Sequence, residues 1–418
     1  MTAPIKLTDF TGMNNIKESE GLFVGRYGKN TQPRIILNAD VTSGGRIIKR
    51  DGSEKVIALT SPHSLWSSSV AMLCASEGKL YRINQGQAVE ICAITGPATY
   101  LSYVEINEKI YISNKYWNTI FDPSDNSTSD WGLSLPEQPV ISSTAGNLTA
   151  GTYQVCFTRF SGREISGNGA IASIELAADS GITISNRGAD LLVWMTDPNG
   201  SKFFLAGQLD TIVSNAQSSE PLPSFLCSPP LYMEYLSYGF GRVWGSIDNV
   251  LYYSEPFHPE WFRNQFNKFE YNQNITLIAQ ATTGIFVGCE DTTYFLAGTE
   301  PQQMKQTLAG KGAVPGTLIY CNNVPELGDI LSPAERIHVD VPIWLSQEGI
   351  VIGNASGRLF NLTHQKVKFK PGKRGASVHR MKNGEFQYLT NFKQGSPGSG
   401  FGMADTVTAE VIRNGRVI

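Results

Sequence analysis

Between Arg358 and Lys382 the chain places eight basic residues and no acidic one: Arg358, Lys366, Lys368, Lys370, Lys373, Arg374, Arg380 and Lys382. In Lys366-Val367-Lys368-Phe369-Lys370 the charges alternate with apolar residues, so on a strand they share one face. Two chemistries fit that pattern. A solvated strand face can be kept charged against edge-to-edge pairing, or the cations can contact a phosphate backbone or an acidic partner. Lys366, Lys368, Lys370, Lys373 and Arg374 are therefore the candidate contacts with a partner or a DNA path. No aromatic stacking platform or base-reading motif accompanies them, which argues against sequence-specific DNA recognition.

Other stretches that could do chemistry fail on spacing. Gly310-Lys311-Gly312-Ala313 lacks the spacer, the Ser or Thr after the lysine and the following helix of a phosphate loop, and reads as a flexible loop. Asp122-Pro123-Ser124-Asp125-Asn126-Ser127-Thr128-Ser129-Asp130 offers oxygen ligands without the central glycine and terminal glutamate of a calcium loop. Turns rich in Asx and Ser have the same composition. His63, His258, His338, His364 and His379 never fall at spacings that converge on zinc. No Gly-x-Ser-x-Gly elbow occurs. Ser346-Gln347-Glu348-Gly349 is the nearest approach to the Ser-x-Asp-x-Gly-x-x-Trp box of sialidase propellers, and it lacks the Asp and the Trp. No catalytic, metal or cofactor-binding residue is assigned, no cofactor is expected, and the chain is read as a protein that is not an enzyme.

Bulk properties narrow the class further. A net charge of −3 over 418 residues is not that of a polyelectrolyte. Charged residues make up 17% of the chain, below the roughly 25% usual in soluble domains. That suits faces covered in an assembly, and equally a single large β-domain. No apolar run approaches the ~18–20 residues of a membrane span, and Met1 to Phe10 lacks the pattern of a signal peptide. Cys74, Cys92, Cys156, Cys227, Cys289 and Cys321 are spaced by tens of residues, as expected of reduced, half-buried strand cysteines made in a reducing cytoplasm.

The elements that must position these residues are short strands. Helical periodicity is nearly absent apart from one turn near Pro333-Ala334-Glu335-Arg336. A polar turn, an aliphatic or β-branched residue and an aromatic recur as Glu77-Gly78-Lys79-Leu80-Tyr81, Asn107-Glu108-Lys109-Ile110-Tyr111 and Asp248-Asn249-Val250-Leu251-Tyr252. The phrase returns as Glu290-Asp291-Thr292-Thr293-Tyr294, Ser356-Gly357-Arg358-Leu359-Phe360 and Asn383-Gly384-Glu385-Phe386-Gln387-Tyr388. Repeated hairpins of this kind predict an all-β chain folded as a β-propeller of about six or seven blades. Near the start, Arg34-Ile35-Ile36-Leu37 and Arg46-Ile47-Ile48-Lys49 read as extended, with Ser43-Gly44-Gly45 as a hairpin loop between them.

The repeat is broken once. Tyr111 and Tyr252 lie 141 residues apart, and prolines 136, 139, 221, 223, 229 and 230 mark the edges of the excess. Inside it, Tyr153, Val155 and Phe157 alternate with Gln154, Cys156 and Thr158, followed by Leu191 to Met195 and Lys202 to Leu205. Strands at this spacing predict an inserted β-sandwich. Gly146 to Tyr153, a Gly-x-Leu-x-x-Gly-x-Tyr phrase, resembles the first strands of fibronectin type III-like modules. The expected domains are 1–136, the first part of the propeller; 137–223, the inserted sandwich; and 224–418, the rest of the propeller.

Six further segments carry a family resemblance. Phe10-Thr11-Gly12-Met13-Asn14-Asn15 is followed by Leu37-Asn38-Ala39-Asp40-Val41 and Gly44-Gly45-Arg46-Ile47-Ile48-Lys49-Arg50-Asp51-Gly52. Gly241-Arg242-Val243-Trp244-Gly245 leads to Leu251-Tyr252-Tyr253-Ser254-Glu255-Pro256 and Pro259-Glu260-Trp261. Together with the repeats, these resemble the tail tubular or nozzle proteins of short-tailed bacteriophages. The resemblance implies a propeller platform with sandwich insertions, a ring of typically six copies below the portal and adaptor, and a channel that conducts and retains DNA. It implies as partners further copies of the chain, portal or adaptor and tail fibre proteins, and passing DNA, and it implies residence in the virion tail. It maps no residue with a chemical role. A carbohydrate-binding or host-recognition propeller of the virion, with sugar seated on exposed Trp and Tyr, is the alternative.

Overall fold

β-branched and aromatic residues broken every few positions by glycine, proline and Asx turns favour short, half-buried strands, and the protein is built of them throughout. A computed structural model describes residues 10, 12–17, 32–36, 39–42, 44–50, 52, 55–214, 219–321, 330–332, 339–364, 366–368, 372–382, 385–393, 412–413 and 416–417. Among these there is no α-helix, and Pro301–Gln303 forms a 3-10 turn. The helical turn expected at Pro333 to Arg336 lies outside the described residues. Two compact units divide the chain, Leu59–Glu270 on the one hand and Met1–Ala58 with Tyr271–Ile418 on the other.

The split unit begins with a hairpin of β1 (Ala39–Val41) and β2 (Ile47–Lys49). Its turn holds the expected Gly44-Gly45, closed by bonds from Gly45 N to Thr42 O (2.9 Å) and from Arg46 N to Thr42 Oγ1 (3.1 Å), and Ser43 lies outside the described residues. The first strand, however, is Ala39–Val41 and not Arg34 to Leu37. Residues 34–36 form no strand, and Leu37 lies outside the described residues.

The continuous unit holds three four-stranded antiparallel sheets, each a simple meander. The first contains β3 (His63–Ser67), β4 (Met72–Ser76), β5 (Lys79–Asn84) and β6 (Gln87–Ala93). The second contains β7 (Ser102–Ile106), β8 (Lys109–Ser113), β9 (Asn118–Asp122) and β10 (Ser127–Ser129). Leu73, Ala75 and Leu80 of the first sheet bury themselves with Ile110, Ile112 and Phe121 of the second.

Then come eight strands of a different kind. β11 (Ile141–Leu148), β15 (Ser180–Ile184) and β18 (Thr211–Ile212) form one sheet. β12 (Gly151–Ser161), β13 (Glu164–Ile165), β14 (Ala172–Leu176), β16 (Leu191–Thr196) and β17 (Phe203–Gly207) form the other. The two sheets enclose one core: Tyr153, Val155, Phe157, Val193 and Met195 meet Leu148, Ile182, Ile184 and Ile212. The Tyr153 hydroxyl donates back to Thr149 O at 3.0 Å, which lets a polar tip end inside that core. Cys156 and Thr158, on the other face of the same strand, are buried as well, because the segment carrying Leu222 and Phe225 covers that face.

The third meander of this unit follows as β19 (Glu234–Gly239), β20 (Arg242–Ile247), β21 (Val250–Tyr253) and β22 (Lys268–Glu270). It shares a core with the second, where Met233, Leu236, Val243 and Phe262 pack with Val104, Ile106 and Trp131.

In the split unit, β23 (Ile275–Ala281), β24 (Gly284–Cys289), β25 (Thr292–Ala297) and β26 (Lys305–Lys311) make one meander. β27 (Ile319–Cys321), β28 (Val341–Ser346), β29 (Gly349–Gly353) and β30 (Leu359–Asn361) make the next. Phe286 and Phe295 of one pack on Trp344 and Val351 of the other. Two hairpins close the chain, β31 (Arg374–Lys382) with β32 (Glu385–Lys393), and β33 (Ile412–Arg413) with β34 (Arg416–Val417).

The repeated phrase marks hairpins but not one turn of a repeating sheet. Glu77-Gly78, Asp248-Asn249 and Glu290-Asp291 join second to third strands, Asn107-Glu108 joins a first to a second, and Ser356-Gly357 lies between a third and a fourth. Positive φ at Glu77 (48°) and Gly78 (73°), and at Asn107 (50°) and Glu108 (64°), suits the tight turns whose twist matches a hairpin. Any hairpin can use that chemistry, so counting phrases does not count sheets. The described residues hold five four-stranded meanders.

Candidate functional site

The basic run starts at a turn. Arg358 is exposed, and its N–H donates to Asn354 Oδ1, which also accepts from Ser356 N and Ser356 Oγ. After β30 the chain curls: Lys366 N and Val367 N both donate to Thr363 O at 3.1 Å. The strand expected over Lys366 to Lys370 is therefore not formed among the described residues. Lys366 sits in the turn, Val367 and Lys368 are irregular, and Lys370 lies outside the described residues. A local carbonyl that captures two successive N–H groups bends the backbone, and period-two alternation no longer sets a common face.

What holds this curl comes from the far end of the chain. Asn15 N donates to Lys366 O (3.0 Å), Asn15 Nδ2 donates to Lys368 O (2.8 Å), and Lys368 N donates to Asn15 Oδ1 (2.7 Å). One carboxamide thus supplies the donor and acceptor that a neighbouring strand would supply. Asn15 is held in turn by its neighbour. Asn14 is 1% exposed, its N–H donates to Pro33 O, and its Oδ1 accepts from Ile16 N and Lys17 N.

Lys373 is exposed and Arg374 half-buried at the start of β31, where Gly375 N donates to Pro315 O at 2.9 Å. Arg380 is engaged elsewhere. Its Nε donates to Gln387 Oε1 (2.6 Å), and its guanidinium lies 3.8 Å from the buried carboxylate of Asp40, which also pairs with Arg50 at 2.9 Å. The phrases around Asn14, Asn15, Asp40 and Arg50 are thus fold-building: they fasten Asn15 to Lys366 and Lys368, and Asp40 to Arg380. No period or spacing in the sequence signals those long-range partners.

The other stretches are structural in the same sense. Lys311 ends strand β26, and Gly312 packs so closely that a Cβ there would lie 2.0 Å from Glu290 O. The segment is a packed strand end, not the flexible loop expected. Asp122 and Asp125 spend their oxygens on Ser124 and Ser127, bonds that hold both carboxyls below the ordinary range. Asn126 Oδ1 accepts from Arg82 at 2.6 Å. Among the described residues, no group of three or more His, Cys, Asp and Glu is placed to hold a metal ion, and no helix is long and apolar enough to cross a membrane.

All six cysteines are free thiols, five of them buried and Cys92 half-buried. Burial pushes the thiols of Cys156 and Cys289 up to about 12 and that of Cys227 to about 11. A thiol whose folded pKa exceeds its unfolded value near 9.0 keeps its proton in the fold while the unfolded chain loses it. The resulting stability is complete below pH 9 and is lost as pH rises toward 12. The melting temperature should therefore fall steadily between pH 9 and 11, and a flat profile would contradict the burial. A thiol-reactive dye at pH 8 should label Cys92 first and reach six sites only in denaturant.

No protein-family model matches the chain. No curated protein matches it either. Among solved structures it is similar at 10% identity to BBS1N in complex with ARL6DN, over 84% of this chain and 93% of that one, with a TM-score of 0.34. It is similar to the computationally designed Ika8 protein over 86% and 100% of the two chains (10% identity, TM-score 0.27). To Saccharomyces cerevisiae Sqt1 it is similar over 77% of each chain (10% identity, TM-score 0.29). Likenesses this loose carry no argument about what the chain does.

Proposed function

We propose that the chain is a structural component of a short-tailed bacteriophage tail, a β-propeller nozzle subunit that forms a ring, typically sixfold, below the portal and adaptor. In this reading the four-stranded meanders are blades, and the two-sheet insert of β11 to β18 is a fibronectin type III-like module. One observation carries the reading. Successive four-stranded meanders share cores in order along each unit, and the phrases that resemble the nozzle family occupy the points that tie the fold together.

A ring subunit needs rigid discs and loops that contact neighbouring copies, not a catalytic pocket. Exposed aromatics on loops suit such contacts. Phe257 is 79% exposed and lies over Gly241, where a Cβ would meet its ring at 2.9 Å. Portal or adaptor and fibre proteins are the expected neighbours, and the basic run at Lys366, Lys368, Lys373 and Arg374 is the expected contact with passing DNA.

Gold-labelled antibody imaging of phage particles from the same genome tests this. Label confined to the tail vertex near the capsid is the expected result. Label on peripheral fibres would favour the carbohydrate-binding alternative. Intact particles without label, and without the protein in their mass spectrum, would end the virion assignment.

A further inference from the structure

We propose that Asn15 is the positioning residue of a nucleic-acid backbone contact made by Lys366, Lys368 and Lys373, holding the curl at Lys366 to Lys368 in its binding shape before the phosphates arrive. The proposal rests on the reading of the basic run as a phosphate contact. Its new content is the role of a residue some 350 positions away that carries no charge.

Three observations converge on it. The run holds eight basic residues and no acidic one in a chain of net charge −3, so no acidic neighbour in sequence offsets its charge. Lys368 and Lys373 are exposed, within reach of an external polyanion. The backbone of Lys366 to Lys368 has no neighbouring strand among the described residues, and the Asn15 carboxamide fills that place with one donated and one accepted bond to Lys368. Asn15 is itself placed by the buried Asn14 turn, so the clasp is anchored from within.

Lysine is a flexible point charge, and a loop that must be ordered on binding forfeits affinity without losing any contact. A clasp that orders the loop beforehand changes the binding constant and leaves the number of neutralised phosphates alone. That separation gives the test a signature that loss of charge cannot imitate.

The experiment measures anisotropy of a fluorescein-labelled 20-bp duplex of arbitrary sequence with the full-length protein over a salt series. Wild-type protein should bind independently of sequence, with affinity falling as salt rises by about 0.9 log units per log unit of salt for each phosphate neutralised. Lys368→Glu with Lys373→Glu should weaken binding and reduce that slope by roughly 2. Asn15→Ala should weaken binding about 2–10-fold, the cost of ordering the loop, with the slope unchanged.

Wild-type protein that does not bind duplex overturns the phosphate reading and this proposal with it. Binding that is lost in the lysine variant but unaltered in Asn15→Ala overturns the positioning role alone. Should Asn15→Ala fail to fold, hydrogen exchange at the Lys368 amide of wild-type protein decides. Protection in the free protein that increases with saturating duplex is expected, and an amide that exchanges freely or ignores the duplex refutes the clasp.

Discussion

Replacing Phe286 with alanine is expected to lower the unfolding free energy by about 3–5 kcal/mol, the usual cost of removing a fully buried aromatic. Phe286 and Trp344 are wholly buried and Phe295 nearly so; the Phe286 ring centroid lies 4.6 Å from that of Phe295 and 5.5 Å from that of Trp344. Two glycines make room for the cluster. A Cβ at Gly353 would come within 2.5 Å of the Phe286 ring, and one at Gly357 within 2.2 Å of Phe295. Gly353→Ala alone should therefore cost about 1–3 kcal/mol through overpacking.

In the Phe286→Ala background that cost should shrink, because the added methyl enters the space the ring left. The two changes share a cavity and are not additive. Gly357 offers no such rescue, since its φ of 77° strains any other residue whatever the space. Urea unfolding followed by tryptophan fluorescence reads all of these. Equal cost for Gly353→Ala in both backgrounds would show that the ring and the glycine do not compete for the same volume.

Trp261→Ala should be nearly as damaging, again by about 3–5 kcal/mol, and its reason reaches through the loop that carries it. Trp261 is 7% exposed, and its indole N–H donates to Ile165 O at 2.9 Å. His258 stacks on it with ring centroids 3.8 Å apart, and the Trp131 indole N–H donates to Pro259 O at 2.9 Å. The loop from Glu255 to Phe262 is thereby fastened both to β13 and to the segment after β10.

Trp261→Phe keeps most of the ring and removes the donor, leaving Ile165 O without its indole partner. It should cost about 1 kcal/mol, the net worth of one such bond, plus the lost volume. Denaturant midpoints of the three proteins distinguish the terms. A phenylalanine variant as unstable as the alanine one would mean that the hydrogen bond, and not the packing, dominates.

Two signals were strong enough to be read from residue order. Alternation and turn chemistry predict hairpins at Glu77-Gly78 and Asn107-Glu108, and hairpins are there, because a two-residue turn with positive φ is decided by the residues themselves. The change of pattern between Tyr111 and Tyr252 is likewise visible, since Tyr153, Val155 and Phe157 bury one face of a strand long enough to show its period. What was not legible is which turn of which sheet each phrase closes. Strand pairing is a choice among many edges, and a local phrase holds no information about that choice.

The candidate site divides in the same way. Its charge was evident from residue types, but its shape was misread. Alternation over Lys366 to Lys370 predicts a strand only if some edge is available to pair with it. The described chain instead curls onto Thr363 O, and the carboxamide of Asn15 takes the place of that edge. Asn15 lies far away in sequence, and a single asparagine leaves no period.

By itself, then, the sequence determined an all-β chain, its hairpin turns, its interrupted repeat and a run of positive charge without acidic neighbours, because each is written in the order of neighbours along the chain. Only the tertiary structure decided that Asn15 fastens to Lys366 and Lys368 and Asp40 to Arg380, and that glycines 353 and 357 make room for an aromatic cluster. Those depend on contacts between residues from a few tens to some 350 positions apart, whose energies exist only once the chain between them has folded.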